Sequence, residues 1–362
     1  MPSSELVKIT ELFSMPGKLQ SIAPHGNGHI NKTYISSWEI EGGVQRFIHQ
    51  CINNLVFPDV ENLMNNIQTV LNHIQSKQID PAVYEDVTIV PAKNGRLFAL
   101  DENKQYWRTY RYLENTKYIE VCENLFQASE AGRIIGFFQA TLADLDVKKL
   151  NENIRKFTSA PMRVAQLEEA ISKSPERLKQ VQLQADFARS NAELTNLIER
   201  KIRSNEIPVR VVHGDTKINN VLFSSATEKA VCLVDLDTCM PGYSLYDFGD
   251  LVRSISFNVA EDEQDFSKIK FNPEFFTAIT EGYAQNAKTF LNSLEISVLH
   301  LVPQLIALTL GIRFLTDFLN SDVYFKVRHP LHNLERTRTQ FKIFEEFKNN
   351  ESLMSQIVKD IF

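Results

Sequence analysis

Two short apolar runs rich in β-branched residues, at positions 209–212 and 231–234, each end in a cluster of polar residues. Such runs are typical of buried strands, and side chains at strand ends can face a cleft while the strands hold them in place. A hairpin with capping residues in its turns would explain any one of them alone, but not the whole set at this spacing. The polar residues are His213, Gly214, Asp215, Asn219 and Asn220 after the first run, and Asp235 and Asp237 after the second.

The length and charge of the chain restrict the class of protein. With 362 residues the chain can bury a substantial core, and two domains are expected rather than one. The net charge of −6 offers no basic surface for nucleic acid. The four cysteines lack zinc spacing, and Cys232 lies inside a predicted buried strand, as expected for reduced thiols in the cytosol.

Membrane insertion and secretion are not expected. The N-terminus lacks the charged and then apolar pattern of a signal peptide. The most apolar run, residues 298–319, includes Arg313 and Asp317, which indicates a buried helix and not a membrane span. We therefore expect a soluble, cytoplasmic protein that binds neither nucleic acid nor membranes.

The pattern of strands and helices changes near residue 115. Short strand patterns dominate the first part, with one clear amphipathic helix from Pro58 to about residue 75. From residue 125 the pattern is helical and is interrupted only by residues 209–253. We predict an α+β fold with a small antiparallel β-rich lobe (1–115) and a larger, mainly helical lobe (116–362), and a cleft between domains is the preferred place for a small-molecule site.

The polar cluster has the side chains that phosphoryl transfer requires, which are an oxygen to orient the attacking hydroxyl and ligands for Mg²⁺. Asp215, in the loop after the first strand, is the candidate catalytic base. Asn220 is far enough along that loop to return its amide oxygen to the same place, and Asp235 supplies the anionic oxygen that Mg²⁺ prefers. We therefore predict a metal site formed by Asn220 and Asp235, and we expect Asp215 and Asp235 to face the substrate.

Residues 213–220, followed by 234–237, resemble the catalytic and metal motifs of the aminoglycoside phosphotransferase and choline kinase-like enzymes. The resemblance implies a protein kinase-like two-lobe fold, ATP and Mg²⁺ as cofactors, and phosphorylation of a hydroxyl group on a small molecule. It assigns the base to Asp215 and the metal to Asn220 and Asp235, with Asp237 as a possible assistant.

Asp247 begins a literal Asp-Phe-Gly sequence, which is the metal motif of protein kinases. It follows a Pro-Gly loop and not a strand. In the resembled family, the Asp after this turn braces the catalytic loop. We therefore assign structural roles to Asp247 and His213, and keep Asp235 as the metal ligand.

The first lobe contains the residues predicted to bind the phosphates of the nucleotide. The turn Gly26-Asn27-Gly28 could place backbone N–H groups over phosphates, although a plain turn explains it equally well. The resembled family usually has a Lys or Arg at the position of Gln50. An amide can donate a hydrogen bond to phosphate but cannot neutralise its charge, and Lys32 could supply that charge.

Residues 107–113 resemble the last strand before the hinge between lobes. The resemblance implies that backbone groups of Arg111 and Leu113 pair with adenine. An ordinary buried strand is the alternative interpretation.

A closer resemblance extends over nearly the whole chain and is to N-acetylhexosamine 1-kinases. Those enzymes phosphorylate the anomeric hydroxyl of N-acetylglucosamine and N-acetylgalactosamine, and they share the Gln found here at position 50. The segments that carry the resemblance are residues 25–34, 57–64, 106–116, 233–250 and 311–340.

Three further residues are predicted to bind the sugar. Arg313 lies in an apolar helical run, where an unpaired charge is unfavourable, and an ion pair with Asp317 one turn later is the alternative. Tyr324 follows a turn that could bring its ring to the site. His29 could reach the acceptor hydroxyls or a phosphate, or could be an ordinary exposed loop histidine.

Two other functions stay open. The first is a kinase of the same fold for another small alcohol, such as choline, homoserine, hydroxylysine or an aminoglycoside. A cationic substrate would require an acidic or aromatic cage, which Arg313 disfavours. The second is a pseudokinase, which the missing strand lysine favours and the intact Asp215, Asn220 and Asp235 disfavour.

Overall fold

The chain forms two compact units in a computed structural model. The first unit consists of Met1–Thr116 and Lys148–Arg155, and the second of Lys117–Val147 and Lys156–Phe362. The prediction from sequence placed the boundary after residue 115 and assigned the short segment to the second lobe. The described residues are 4–26, 30–154, 156–157, 159–202, 206–257 and 259–362.

The short segment joins the first unit through a pair of hydrogen bonds between two asparagines. The side-chain amide of Asn66 donates to the carbonyl oxygen of Asn151 at 2.8 Å, and its oxygen accepts from the backbone N–H of Asn151 at 2.8 Å. Asn66 is fully buried, so these bonds satisfy an amide that would otherwise be costly to bury.

The strands β1 to β6 of the first unit form one antiparallel sheet. The strand order is β1-β2-β3-β6-β4, and β5 also pairs with β6. In chain order the elements are α1 (Ser4–Thr10), β1 (Lys18–Pro24), β2 (Lys32–Ile40), β3 (Gly43–Ile52), α2 (Val60–Ser76), β4 (Ile89–Val90), β5 (Ala99–Leu100) and β6 (Tyr106–Arg111).

The amphipathic pattern that predicted α2 matches its burial. The side chain of Asp59 caps the helix by accepting a hydrogen bond from the backbone N–H of Asn62 at 3.0 Å. The apolar residues at helical spacing are all buried, and they are Leu63, Ile67, Val70 and Ile74.

Helices dominate the second unit, so the predicted α+β class is confirmed. Short 3-10 helices occur at Val147–Lys149, Ile218–Asn220, Leu236–Thr238 and Leu299–Leu301. The other elements are β7 (Thr116–Tyr118), α3 (Leu125–Thr141), α4 (Ala160–Lys173), α5 (Pro175–Ile202), β8 (Arg210–Val212), β9 (Val221–Ser224), β10 (Ala230–Leu233), β11 (Met240–Gly242), α6 (Ser244–Ile255), α7 (Pro273–Ala287), α8 (Ser293–Val298), α9 (Val302–Leu319), α10 (His332–Asn349) and α11 (Glu351–Ile361).

The two apolar runs at 209–212 and 231–234 form β8 and β10, which lie in different sheets. β8 pairs with β11, and β10 pairs with β9 in a three-stranded sheet that also contains β7. The two strands are therefore not partners in one hairpin. The polar residues that follow them belong to two separate strand ends.

Helices α3 and α7 approach each other closely because glycines face the neighbouring backbone. A Cβ atom at Gly132 would lie 2.2 Å from the carbonyl oxygen of Ile279, and one at Gly282 would lie 1.9 Å from that of Ser129. No other residue fits at these two positions without separating the helices. The close packing brings Gln139 of α3 beside Tyr283 of α7.

One stretch of helix, Ser293–Leu319, is long and apolar enough to span a membrane by length and composition, with a mean hydropathy of 1.7. Of its most apolar 18-residue window, 67% is buried within the protein, and α9 contacts α4, α5, α6 and α10. The core helix of a soluble protein meets the same criterion. Its burial agrees with the prediction of a buried helix over this run.

Candidate active site

The loop after β8 is shaped by a glycine in the left-handed region. Gly214 has φ +82°, and a Cβ atom there would lie 2.8 Å from the carbonyl oxygen of Thr238. Both the backbone conformation and the lack of space therefore require glycine. The hydroxyl of Thr238 also donates to the carbonyl oxygen of His213 at 2.7 Å. These contacts fix the direction in which the chain enters Asp215.

His213 connects the polar ends of β8 and β10. Its ring is fully buried, with Nε2 3.0 Å from the carbonyl oxygen of Val234. The backbone N–H of Asp215 donates to Nδ1 at 3.3 Å. Because a carbonyl oxygen only accepts, Nε2 carries the proton and Nδ1 is the acceptor. The ring thus joins the loop after β8 to the end of β10.

The carboxylate of Asp247 accepts hydrogen bonds from backbone N–H groups of the same loop. Oδ2 accepts from the N–H of His213 at 2.9 Å, and Oδ1 accepts from the N–H of Gly214 at 2.8 Å. The hydroxyl of Thr216 donates to the carbonyl oxygen of Asp247 at 2.6 Å. Burial raises the pKa of Asp247 against the lowering effect of these donors. Both oxygens are engaged inside the protein, which suits the predicted structural role.

Two residues that the sequence analysis missed extend this brace. Gln139 donates to Oδ2 of Asp247 at 2.9 Å and to the carbonyl oxygen of Ser244 at 3.0 Å. Tyr283 in turn donates to Oε1 of Gln139 at 2.7 Å. No local pattern marks either residue, because each partner lies far away along the chain.

Asp215 and Asn220 are brought together as predicted from their spacing. The amide nitrogen of Asn220 donates to the backbone carbonyl of Asp215 at 2.8 Å and to its Oδ2 at 3.0 Å. The ammonium of Lys217 lies 2.9 Å from the same Oδ2. No described residue donates a hydrogen bond to Oδ1. One carboxylate oxygen is therefore fixed, and the other faces away from these donors.

Lys217 is a functional candidate that the sequence analysis missed, although it stands only two residues after the predicted base. Burial raises the pKa of Asp215, but the charge and hydrogen bond of Lys217 outweigh it, and the net shift is downward. Burial lowers the pKa of Lys217, but the carboxylates of Asp215 and Asp235 outweigh it, and the net shift is upward. Both groups are therefore charged at neutral pH.

The predicted metal ligands, Asn220 and Asp235, present the kind of oxygen donors that Mg²⁺ prefers. Because the amide nitrogen of Asn220 binds Asp215, its oxygen is turned to the opposite side, and no described residue donates to that oxygen. Asp235 is exposed after β10 with φ 66° and ψ 55°, whereas Asp237 is buried. An amide oxygen and one carboxylate suit Mg²⁺, which usually takes its remaining ligands from phosphates and water. Within the described ranges, no three His, Cys, Asp or Glu side chains are grouped to hold a metal.

A second ion pair, also missed, lies on α6. Both Nε and a terminal nitrogen of Arg253 donate to Oδ1 of Asp250, at 2.9 and 2.7 Å. Burial lowers the pKa of Arg253, but Asp250 and Glu261 outweigh it and the net shift is upward. The field of Asp250 also raises the pKa of Lys217, after Asp215 and Asp235. Asp215 thus belongs to a larger group of interacting charges, in which Lys217 and Arg253 are positive and Asp235 and Asp250 are negative.

The residues predicted to bind the nucleotide all belong to the first unit. Gly26 has φ +70° with open space around it, so its conformation and not crowding favours glycine. Lys32 is exposed at the start of β2, opposite Cys51 of β3. The remaining residues of the turn, Asn27 and Gly28, and the predicted sugar ligand His29 lie outside the described residues.

Gln50 is held by neighbours on both adjacent strands. Its amide nitrogen donates to the hydroxyl of Thr33 at 3.3 Å, and its oxygen accepts from Nε of Arg108 at 2.9 Å. Arg108 is buried on β6, directly opposite Gln50 in the sheet. A guanidinium therefore lies one strand away from the position where the resembled family has its Lys or Arg, and the sequence analysis did not identify it.

Arg111 and Leu113 already use some of their backbone groups within the first unit. The N–H of Arg111 donates to the carbonyl oxygen of Thr88 at 2.9 Å. The carbonyl oxygen of Leu113 accepts from the hydroxyl of Thr116 at 2.7 Å. The N–H of Arg111 is therefore already used within the first unit, whereas the carbonyl oxygen of Leu113 keeps a second lone pair.

Arg313 and Tyr324 lie together in the second unit, with the guanidinium carbon 5.7 Å from the ring centroid. The alternative ion pair between Arg313 and Asp317 is not formed. Asp317 instead accepts from Asn333 at 2.9 Å and from three successive backbone N–H groups. Those three groups belong to Val323, Tyr324 and Phe325.

Comparison with known proteins places this geometry in context. Residues 59–284 match the model of a phosphotransferase enzyme family, known as APH. A microcompartment-associated aminopropanol kinase is 16% identical, with a TM-score of 0.59 over 96% of this chain and 98% of that one. An ethanolamine kinase from Plasmodium vivax is 12% identical, with a TM-score of 0.56 over 90% and 84%.

A third structure was solved with ADP and spectinomycin bound. It is a spectinomycin phosphotransferase, 13% identical, with a TM-score of 0.57 over 99% of both chains. At these identities the similarity establishes the fold, and it confirms the predicted kinase-like fold.

Proposed function

Because this chain belongs to the phosphotransferase enzyme family, whose model matches more than half of it, we propose that it is an ATP- and Mg²⁺-dependent sugar kinase. The proposed reaction transfers the γ-phosphoryl group of ATP to the anomeric hydroxyl of an N-acetylhexosamine, either N-acetylglucosamine or N-acetylgalactosamine, and yields the 1-phosphate. The cytoplasm, where ATP and Mg²⁺ are available, is the proposed location.

The arrangement of Asp215 is the observation that carries the proposal. Oδ2 is fixed by Lys217 and Asn220, and the carboxyl has a lowered pKa that keeps it ionised at neutral pH. Oδ1 accepts the proton of the sugar hydroxyl as its oxygen attacks phosphorus, so the proton ends on Asp215. The ammonium of Lys217 beside it offsets negative charge on the transferring group.

The other partners of the reaction follow from the same residues. Asn220 and Asp235 would hold Mg²⁺, which neutralises charge on the β- and γ-phosphate oxygens when bound with the nucleotide. The exposed Asp235 and the unengaged amide oxygen of Asn220 support these roles. The ADP-bound spectinomycin phosphotransferase of the same fold supports an adenine nucleotide.

A sugar acceptor is supported by the resemblance to N-acetylhexosamine 1-kinases, which extends to the shared Gln at position 50. A neutral hexosamine needs hydrogen-bond donors together with a flat apolar contact. Arg313 beside the ring of Tyr324 offers both.

A second candidate is a kinase for another small alcohol, such as choline, homoserine, hydroxylysine or an aminoglycoside. The aminopropanol and ethanolamine kinases among the structural relatives favour it. A pseudokinase is the third candidate. Gln50 in place of a Lys favours it, but the charged pair of Asp215 and Lys217 serves no evident purpose in a protein that only binds nucleotide.

The proposal is tested by measuring ADP release with a panel of acceptors, which contains both N-acetylhexosamines, the parent hexoses, choline, ethanolamine, homoserine and an aminoglycoside. We expect turnover with N-acetylhexosamines and an acid-labile anomeric phosphate, identified by phosphorus NMR. Asp215→Asn should lower kcat by about 10² to 10⁴-fold and leave Mg-nucleotide binding largely intact.

Turnover with a different acceptor alone would overturn the sugar and leave the kinase class in place. Nucleotide binding without turnover for any acceptor would favour the pseudokinase. Normal turnover by Asp215→Asn would show that Asp215 is not the base.

A further inference from the structure

Two arginines and three aromatic rings form a cluster in the second unit, here called the arginine–aromatic cluster. It consists of Phe157, Arg163, Arg313, Tyr324 and Phe325. The guanidinium carbon of Arg313 lies 5.5, 5.7 and 5.4 Å from the ring centroids of Phe157, Tyr324 and Phe325. All three distances are within the range of a cation–π contact.

Arg163 enters the cluster from α4. One terminal nitrogen donates to the carbonyl oxygen of Phe157 at 2.9 Å, and the other donates to Oε1 of Gln166 at 3.0 Å. Its Nε is buried and has no hydrogen-bond partner in the described part of the chain. A buried donor without an acceptor is rare in native proteins and suggests a place for a ligand oxygen.

No carboxylate neutralises this pair of cations. Among the residues that the structure describes, neither Arg163 nor Arg313 forms an ion pair with an acid. The acids next to the cluster are engaged elsewhere, because Asp317 accepts backbone N–H groups and Asp322 pairs with Arg177 at 3.1 Å. Burial, and then the charge of Arg313, lower the pKa of Arg163 to about 10, so Arg163 remains protonated at neutral pH.

The chemistry of the cluster restricts what it can bind. A guanidinium donates hydrogen bonds and accepts none, so a ligand must present acceptor oxygens to it. The rings provide flat apolar contact. Two uncompensated positive charges repel a cation, because like charges at short range disfavour one another most strongly where water is excluded.

We propose that Arg163 is a specificity-determining residue that, together with Arg313, binds the acetamido carbonyl oxygen of the sugar and disfavours acceptors that carry a protonated amine. The inference rests on the proposed function, which puts Arg313 and Tyr324 at the acceptor. An N-acetylhexosamine and the corresponding hexosamine differ only at C2, where the first carries a neutral acetamido group and the second a protonated amine. The two sugars therefore test the cluster directly.

The experiment compares kcat/KM for ADP release with N-acetylglucosamine and with glucosamine at neutral pH. We expect the wild-type protein to prefer the N-acetyl sugar by about 100-fold or more. Arg163→Met keeps an apolar stem in place of the arginine methylenes but removes the charge and the donors. The variant should lower kcat/KM for N-acetylglucosamine by about 10- to 100-fold. The ratio of kcat/KM for N-acetylglucosamine to kcat/KM for glucosamine should therefore decrease.

Arg189→Met is the matched control. Arg189 also contacts α4, through two hydrogen bonds to Glu168 at 2.8 and 2.7 Å, but it touches no member of the arginine–aromatic cluster. Arg189→Met changes the net charge of the protein by the same amount as Arg163→Met. It should leave the ratio of kcat/KM between the two sugars unchanged. Calorimetric binding of the two sugars to the wild-type protein in the presence of a non-hydrolysable ATP analogue gives the preference without turnover.

Several outcomes would overturn the inference. One is a wild-type protein that uses or binds both sugars equally, a result that needs no variant and leaves the sugar kinase proposal in place. Another is an equal loss for both sugars in Arg163→Met, which would show a structural role. Turnover only with choline, ethanolamine or another cation would overturn the inference and the sugar assignment together.

Discussion

The ammonium of Lys217 lies 2.9 Å from Oδ2 of Asp215, on the same carboxylate oxygen that accepts a hydrogen bond from Asn220. Two opposite charges at this distance stabilise each other's ionised form. Asp215 and Lys217 therefore form one unit, in which Oδ2 is held and Oδ1 accepts no hydrogen bond from a described residue. Four predictions follow from this unit and from the residues that support it.

Removal of Lys217 should change the pH dependence of the reaction. Burial raises the pKa of Asp215 and Lys217 counteracts it, so in Lys217→Met the pKa of that carboxyl rises. Activity needs the ionised base and is lost as pH falls through this pKa. The acidic limb of the kcat/KM profile should therefore move to higher pH, and kcat should fall by about 10²-fold. Lys229→Met, at an exposed position between β9 and β10, is the control. An unchanged pH profile in Lys217→Met would contradict the coupling.

Asp235→Asn should raise the Mg²⁺ concentration needed for half-maximal activity by roughly tenfold or more, because an anionic ligand becomes neutral. Little stability should be lost, since Asp235 is exposed. Asp237 is 3% exposed, so Asp237→Asn should affect unfolding more than the Mg²⁺ requirement. Titrations of activity against Mg²⁺ measure the first effect. Equal requirements in the wild-type protein and Asp235→Asn would exclude Asp235 as a ligand.

Asp247→Ala should lower the free energy of unfolding by about 3 kcal/mol, because the backbone N–H groups of His213 and Gly214 would be left buried without acceptors. Tyr283→Phe removes only the distant hydrogen bond to Gln139 and should cost about 1 kcal/mol. Urea unfolding followed by far-UV circular dichroism measures both. If Asp247→Ala raised the Mg²⁺ concentration needed for half-maximal activity and left the free energy of unfolding nearly unchanged, Asp247 would be favoured as the metal ligand instead.

A comparison of Gly214→Ala with Gly95→Ala separates two causes of lost stability, which are steric crowding and the left-handed backbone conformation. The two glycines have nearly equal φ, +82° and +80°, but a Cβ atom at Gly95 meets nothing within 4 Å. We expect a cost of about 1 kcal/mol at Gly95 from the left-handed conformation alone. Gly214→Ala should cost more, roughly 2–4 kcal/mol, and should also lower activity, because Thr238 must move. Equal losses of stability would show that crowding at Thr238 is unimportant.

The α+β class and the kinase-like fold were predictable because the apolar periodicities of strands and helices are local. The apolar residues of α2 at helical spacing, Leu63, Ile67, Val70 and Ile74, are buried as the pattern predicted. The proximity of Asp215 and Asn220 was equally predictable from the sequence, because a separation of five residues is enough for the loop to bring the two side chains together. Short-range geometry of this kind leaves the chain few alternatives.

Contacts between segments far apart in the chain could not be predicted from the sequence in the same way. Gln139 and Tyr283 reach Asp247 because glycines let α3 and α7 pack closely, and no local pattern indicates that pairing. Arg108 meets Gln50 through strand register, which depends on the whole sheet.

Asp317 shows how tertiary structure chose between two interpretations that sequence left open. A pair with Arg313 at helical spacing was plausible, but the chain after α9 turns back and presents three backbone N–H groups to Asp317. A buried carboxylate that accepts several N–H donors gains more than one that forms a single ion pair.

The sequence by itself determined the class of fold and which short motif carries the candidate chemistry, because both depend on residues near one another in the chain. Only the tertiary structure decided that Lys217 and Asn220 contact the same oxygen of Asp215 and that backbone N–H groups donate to both oxygens of Asp247. It also decided that, among the described residues, no acid pairs with Arg313 or Arg163. Those outcomes depend on the direction of side chains and on contacts between distant segments, which packing of the entire unit fixes.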